Sequence, residues 1–138
     1  MGVKLIKGGT VVNATHVGEA DVLIEDEKIV GVVSPHSEIA ISALNGNTSI
    51  IDASGMYVIP GGVDAHVHLQ LPMSPKATSS DTFASGTAAA AWGGTTTVID
   101  FAGQIKGTAI PAAIENRLEE ASGQCAIDYA FHLSVGDV

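Results

Sequence analysis

Cysteine is almost missing from this chain: of 138 residues only Cys125 carries a thiol. A lone thiol excludes an internal disulfide framework, and its default role is that of a small buried hydrophobe. Positive charge is scarce as well. Six Lys and Arg stand against 15 Asp and Glu, for a formal net charge of −9. That balance argues against nucleic acid or an anionic membrane surface as a partner. Charged residues of both signs amount to 15%, which points to a large buried fraction or to surfaces that meet other protein. No apolar run is long enough to span a bilayer. Met1 to Lys7 has no apolar stretch of the kind a secretory signal needs. The expected setting is reducing and cytoplasmic.

What is present is a core-forming composition. Hydrophobic residues make up 46% and the mean hydropathy is +0.32, so a packed core is expected and disorder is not. Sixteen glycines imply many tight turns. Residues 1–55 read as short strands. Ala20–Glu25 and Lys28–Val33 flank a tight Asp26-Glu27 connection. Ser34–Asn47 is small and polar and reads as a loop. Ser49–Asp52 and Met56–Ile59 flank a turn at Ala53-Ser54-Gly55. The expectation is a small antiparallel sheet whose open edges need partners.

From residue 56 the pattern becomes strand, loop, helix, strand, helix, strand. A helix is expected from about Asp81 to Trp92, capped by Ser79 or Ser80, with Phe83, Ala84, Thr87, Ala88 and Ala91 as its apolar stripe. Trp92 is expected in the core, and Gly93-Gly94 stops the helix. Thr95–Phe101 is a β-branched strand. Thr108 is expected to cap a second helix with Pro111 in its first turn. Ile110, Ala113, Ile114, Leu118 and Ala121 should face inward, with Glu115, Arg117, Glu119 and Glu120 outward. Gly123 ends that helix, and Asp128–Val135 is a third strand. Alternating strands and helices imply a parallel sheet with right-handed crossovers.

The chemistry is concentrated in Tyr57-Val58-Ile59-Pro60-Gly61-Gly62-Val63-Asp64-Ala65-His66-Val67-His68-Leu69. In an extended chain, Asp64, His66 and His68 share one face. Neighbours on that face lie ~6.6 Å apart, from a rise of ~3.3 Å per residue. Two imidazoles so spaced can lean onto one metal ion, with Asp64 placed to orient a ligand or hold a hydrogen bond behind it. A buried pair of imidazoles beside a carboxylate is costly without a shared partner. Other residues stay open. His132 either lines the site or is a hydrogen-bonded core histidine. Asp100 either faces the site or makes a structural hydrogen bond. Leu71 and Met73 either form an apolar wall over a substrate or pack within their own loop. His16 and His36 are assigned to solvent.

Several stretches together resemble the cyclic amidohydrolases. Leu5–Asn13 is similar to that family's opening strand, and Ala20–Asp26 with Lys28-Ile29 to its following hairpin. Pro60-Gly61-Gly62-Val63-Asp64-Ala65-His66-Val67-His68 resembles its metal signature. Asp81, Phe83, Gly86–Ala90, Gly93–Thr97, Asp100-Phe101 and Asp128–His132 are most similar to dihydropyrimidinases and hydantoinases. Allantoinases and dihydroorotases tend to carry a Glu-Pro-Gly type sequence or an Arg after the histidines, where this chain has Leu69-Gln70-Leu71-Pro72-Met73. The related collapsin response mediator proteins have lost the metal histidines. An allantoinase-type or dihydroorotase-type hydrolase and a non-catalytic assembly protein stand as the alternatives.

The resemblance implies an α/β fold. Residues 1–55 would be part of a small β-sandwich domain, and 56–138 the first three strands of a (β/α)8 TIM barrel. It also implies a divalent metal, zinc, with two ions bridged by a carbamylated lysine. A cyclic amide would be the substrate, and the complete protein a homo-oligomer, a tetramer. Only His66 and His68 carry over as ligands. The family's lysine lies on the fourth barrel strand, so this chain reads as the amino-terminal part of a larger hydrolase, inactive by itself.

Overall fold

The computed structural model describes residues 2–44 and 47–137. They fall into two compact units, Met1–Pro60 and Gly61–Val138. The first unit holds β1 (Val3–Val12), β2 (Val17–Glu25), β3 (Lys28–Val33), α1 (Glu38–Leu44), β4 (Thr48–Asp52) and β5 (Tyr57–Val58). The Asp26-Glu27 hairpin forms as expected, with Asp26 in the left-handed region at φ 53°. Its side chain accepts a hydrogen bond from the N–H of Gly2 at 3.0 Å.

Two expectations fail here. The sheet is mixed, not antiparallel: β1 pairs antiparallel with β2 but parallel with both β4 and β5. A parallel partner returns by a crossover and not by a hairpin, here from β3 through α1 to β4, and a bulge in β1 between Ile6 and Gly9 separates the two parallel stretches. The Ala53-Ser54-Gly55 turn sits opposite it, and Gly9 lacks the Cβ that would lie 2.6 Å from Val58 Cγ2. One chain thus follows β1 on either side of the bulge as two short strands. The bulge also explains a buried acid. Asp21 is 1% exposed, and its carboxylate accepts from the N–H of Gly8 at 2.9 Å. The second correction is α1, which occupies part of the expected Ser34–Asn47 loop; residues 45 and 46 lie outside the described residues. Ser37 starts it, its hydroxyl accepting from Ala40 N–H at 3.2 Å and its carbonyl from Ile41 N–H at 2.9 Å. The core of this unit is Val11, Ala20 and Val22, with Ile6, Ile24 and Val58 packed on it.

The second unit holds β6 (Gly62–Asp64), a small hairpin of β7 (Pro72–Ser74) and β8 (Ala77–Thr78), α2 (Phe83–Trp92), β9 (Thr95–Gly103), α3 (Ile110–Ala121) and β10 (Asp128–Ser134). Its main sheet runs β10-β9-β6 and is parallel throughout, as the strand–helix alternation predicts. The run from Tyr57 to Leu69 is not one strand. Pro60 has no N–H to donate, and the regular ladder starts only at Gly62.

Helix starts differ from the expected caps, and the hydroxyls of Ser79 and Thr108 are engaged elsewhere. Ser79 Oγ accepts from Leu71 N–H and donates to the His68 carbonyl, at 2.8 and 3.3 Å. Thr82 caps α2 instead, in a reciprocal box with Ser85. Thr108 Oγ1 donates to the Ile105 carbonyl, so α3 begins after Ala109 without a side-chain cap, and Pro111 sits in its first turn. Gly94 and Gly123, at φ 83° and 70°, follow the two helix ends as predicted.

The buried stripes are narrower than expected. Helix α2 buries Phe83 and Thr87, while Ala84 and Ala91 are exposed. Trp92 is 93% exposed, not core. It lies nine residues from Phe83, which at ~100° per residue places it on the opposite side of the helix. Helix α3 buries Ala113, Arg117 and Ala121. The expected outward Arg117 points in, and Ile110 and Leu118 are exposed.

Gly61 makes a test of this packing. A Cβ there would meet Thr96 Cγ2 and Oγ1 at 2.2 Å and Thr96 Cβ at 2.7 Å. Rotating the threonine relieves the first two contacts but not the third, so the backbone must shift. Gly61→Ala is expected to cost ~1–3 kcal/mol, read as a lowered urea midpoint; an unchanged midpoint would contradict the close approach.

Candidate metal centre

Strand β9 divides the second unit chemically. Val98, Asp100 and Ala102 are buried, while Thr97, Ile99 and Phe101 alternate with them on the other face. On β10, Asp128, Ala130, His132 and Ser134 likewise share the more exposed face. His66 and His68, just past β6, gather there too.

Regular pairing of β6 stops at Asp64, yet the chain stays beside β9: Val67 N–H donates to the Ile99 carbonyl at 3.1 Å. Period-two alternation therefore survives past the strand. Leu69 is buried with Phe83 and Ala121, and His66 and His68 are exposed on the other side. Their Nε2 atoms lie 3.2 Å apart and the rings meet edge to face. Two nitrogens bound to one zinc at ~2.0–2.1 Å with a tetrahedral angle stand ~3.3 Å apart. Lone pairs facing at this range repel unless a proton or cation lies between them. The pair thus fits a shared cation. Among the described residues no third His, Cys, Asp or Glu joins them to form a larger metal-binding cluster.

Phe101 floors the site. Its ring centroid lies 4.6 Å from that of His66, 5.1 Å from His68 and 5.0 Å from His132. Among the described residues Asp64 makes no hydrogen bond to an imidazole. Its carboxylate accepts from the backbone N–H of His66 at 3.2 Å. His132 Nε2 lies 2.9 Å from the Ala65 carbonyl.

Beneath the site is an ion pair. Asp100 is fully buried, with one oxygen 2.6 Å from Arg117 and the other accepting from Phe101 N–H at 2.7 Å. The structural alternative for Asp100 is the one realised. Arg117 also donates to the Leu69 carbonyl, pairs with Glu120, and stacks 4.6 Å over the Phe83 ring. It anchors the backbone one residue after His68. Leu71 lines a cleft of about 280 Å³ with Phe101, Ile105, Ala113 and Arg117. Met73 is 67% exposed on the small hairpin and is not among that cleft's lining residues. His16 and His36 are exposed, as expected.

These features coincide with known proteins. Residues 57–136 match the model of the amidohydrolase family. This chain belongs to the amidohydrolase family. Among curated amidohydrolase relatives, the D-hydantoinase of Streptomyces coelicolor is 46% identical over 134 residues, 97% of this chain and 28% of that protein. Rat dihydropyrimidinase is 42% identical over 135 residues, 95% of this chain and 25% of that protein. The crystal structure of dihydropyrimidinase from Brevibacillus agri superposes with a TM-score of 0.88 at 43% identity, covering 99% of this chain and 28% of that one. The chain therefore spans little more than a quarter of the length of these relatives.

Two residues escaped the sequence reading of this candidate site: Phe101 as its floor and Arg117 as its anchor. For Arg117 the signal was present. It lies four residues after Ala113 and four before Ala121, and β9 offers an acid at a buried alternate position. Cys125 packs at the edge of the Leu69 and Phe83 cluster, where burial, and then the charge of Asp100, push its thiol pKa up. That agrees with its reading as a small hydrophobe. No helix among the described residues is long and apolar enough to cross a membrane.

Proposed function

We propose that these residues are the amino-terminal part of a metal-dependent cyclic amidohydrolase that opens the ring amide of dihydropyrimidines or 5-substituted hydantoins. The observation carrying this is the 3.2 Å approach of His66 Nε2 to His68 Nε2 in a chain similar to D-hydantoinases over nearly its whole length. Residues 1–55 are read as one part of a composite β-sandwich, and 56–138 as the first strands of a TIM barrel, with strand β9 at the centre of the described sheet. His66 and His68 are the metal ligands this chain supplies, for a site of two divalent ions, zinc by family. His66 and His68 would hold such a cation, whose chemistry when bound would be to lower the pKa of water and to act as a Lewis acid toward a ring carbonyl. The chain's own residues prepare the place. Phe101 excludes water beneath the imidazoles, and Asp64 pins the backbone at His66. Leu71, with Met73 on the adjoining hairpin, is assigned to the apolar wall against the substrate ring. The complete protein is read as a cytoplasmic homo-oligomer, a tetramer by family.

The test has two arms. The full-length protein is expected to hydrolyse dihydrouracil or hydantoin with activity lost to a chelator and restored by zinc. Residues 1–138 alone are expected to aggregate or oligomerise, to bind zinc weakly and to show no turnover, because stable zinc sites have at least three protein ligands. A monomer by light scattering, with cooperative unfolding and zinc-dependent turnover, would overturn the partial-site reading.

A further inference from the structure

The peptide group joining Ala65 to His66 is held at both ends. Its N–H donates to Asp64 Oδ1 at 3.2 Å. Its carbonyl lies 2.9 Å from His132 Nε2. A carbonyl only accepts, so Nε2 of His132 must carry the hydrogen. The lone pair of that nitrogen is then unavailable to a cation. His132 stands on β10 and Ala65 just past β6, with β9 between them. Two strand spacings separate the outer strands, ~9–10 Å. The imidazole spans that gap over the Phe101 ring, 5.0 Å between centroids. It reaches a backbone atom of the peptide that precedes the His66 Cα. Among the described residues no other side-chain hydrogen bond joins β10 to the Ala65–His66 peptide.

We propose that His132 is a positioning residue: it fixes the Ala65–His66 peptide, and through it the direction of the His66 imidazole, without itself binding metal. The proposal rests on reading His66 and His68 as metal ligands. A ligand whose backbone is already held loses less freedom when the ion binds, so its hold on the ion is tighter. Outer partners of metal ligands are worth about 10–100-fold in affinity.

The test is made in the full-length protein, stripped of metal and titrated with Co(II) and with zinc. His66→Ala should lose one metal equivalent. His132→Ala should keep the wild-type stoichiometry, bind ~10–100-fold more weakly and shift the Co(II) absorption bands. It should also speed exchange of the His66 amide in the metal-free protein. His132→Gln offers an N–H at nearly the same reach and should restore affinity and exchange protection. It also serves as the folded variant should alanine loosen β10. Loss of a whole equivalent in His132→Ala, unrescued by glutamine, would make His132 a ligand and overturn the proposal. Wild-type affinity and wild-type His66 exchange in His132→Ala would overturn it as well. If His66→Ala keeps every equivalent, the metal reading of the histidine pair fails, while the exchange measurement still decides the His132 contact separately.

Discussion

Replacing either His66 or His68 with alanine is expected to remove one metal equivalent from the full-length protein and to lower ring hydrolysis by at least ~10³-fold. The magnitude follows from what the pair would hold in place. Charge stabilisation by a bound cation is worth several kcal/mol in the transition state, and each ~1.4 kcal/mol is tenfold in rate. Removing one of two nitrogens that stand 3.2 Å apart leaves a single protein ligand from this segment. Neither change should disturb the fold much, since both side chains are exposed on their sheet face. Metal content by mass spectrometry and turnover of dihydrouracil check the two halves independently. Unchanged metal content in both variants would contradict the assignment.

The second large effect concerns stability. Arg117→Met should destabilise the protein by about 3–5 kcal/mol, because it leaves the Asp100 carboxylate buried without its partner. The pair is 2.6 Å apart, with side chains 8% and 1% exposed, so solvent cannot take over the lost contact. Arg117→Met also removes the donor to the Leu69 carbonyl and the stacking over Phe83. Arg117→Lys should recover only part of the loss, since an ammonium cannot reproduce the planar fork. The double variant Asp100→Leu with Arg117→Met should be more stable than Arg117→Met alone, because no buried charge remains. Urea unfolding of the wild type, Asp100→Leu, Arg117→Met and the double variant measures this as a double-mutant cycle. A cost below ~1 kcal/mol for Arg117→Met would show that Asp100 finds other solvation.

The helix α1 and the orientation of Arg117 illustrate two kinds of information that pattern reading loses. Helix α1 has seven residues, and among its described side chains Ala40 is buried while Ile39 and Ile41 are exposed. So short a segment carries no apolar period, and its cap at Ser37 was the one local hint. Arg117 fits an outward position by chemistry alone. It turns inward because Asp100, seventeen residues earlier on β9, lies buried at the facing alternate site. Glu115 and Glu119, with no such partner, remain exposed.

Local chemistry was enough for several features of this amidohydrolase chain. The shared face of His66 and His68 needs only period-two alternation, so it formed although regular pairing ended at Asp64. The Asp26-Glu27 hairpin and the glycine stops after α2 and α3 depend on residues adjacent in the chain. The parallel β10-β9-β6 order follows from crossovers whose hand is set by strand twist. Long-range pairing decided the rest. The parallel pairing of β4 and β5 with β1 joins segments far apart in the chain, Val3 with Thr48 and Thr10 with Tyr57, on either side of a bulge where Gly9 gives room to Val58. The grip of His132 on Ala65 spans sixty-seven positions. The floor under the histidines is an aromatic ring on β9, which meets them only when the three strands lie side by side. Contacts of that range carry no period or neighbour signal in the chain; they exist only once the burial of Leu69, Phe83 and Ala121 has brought the strands together.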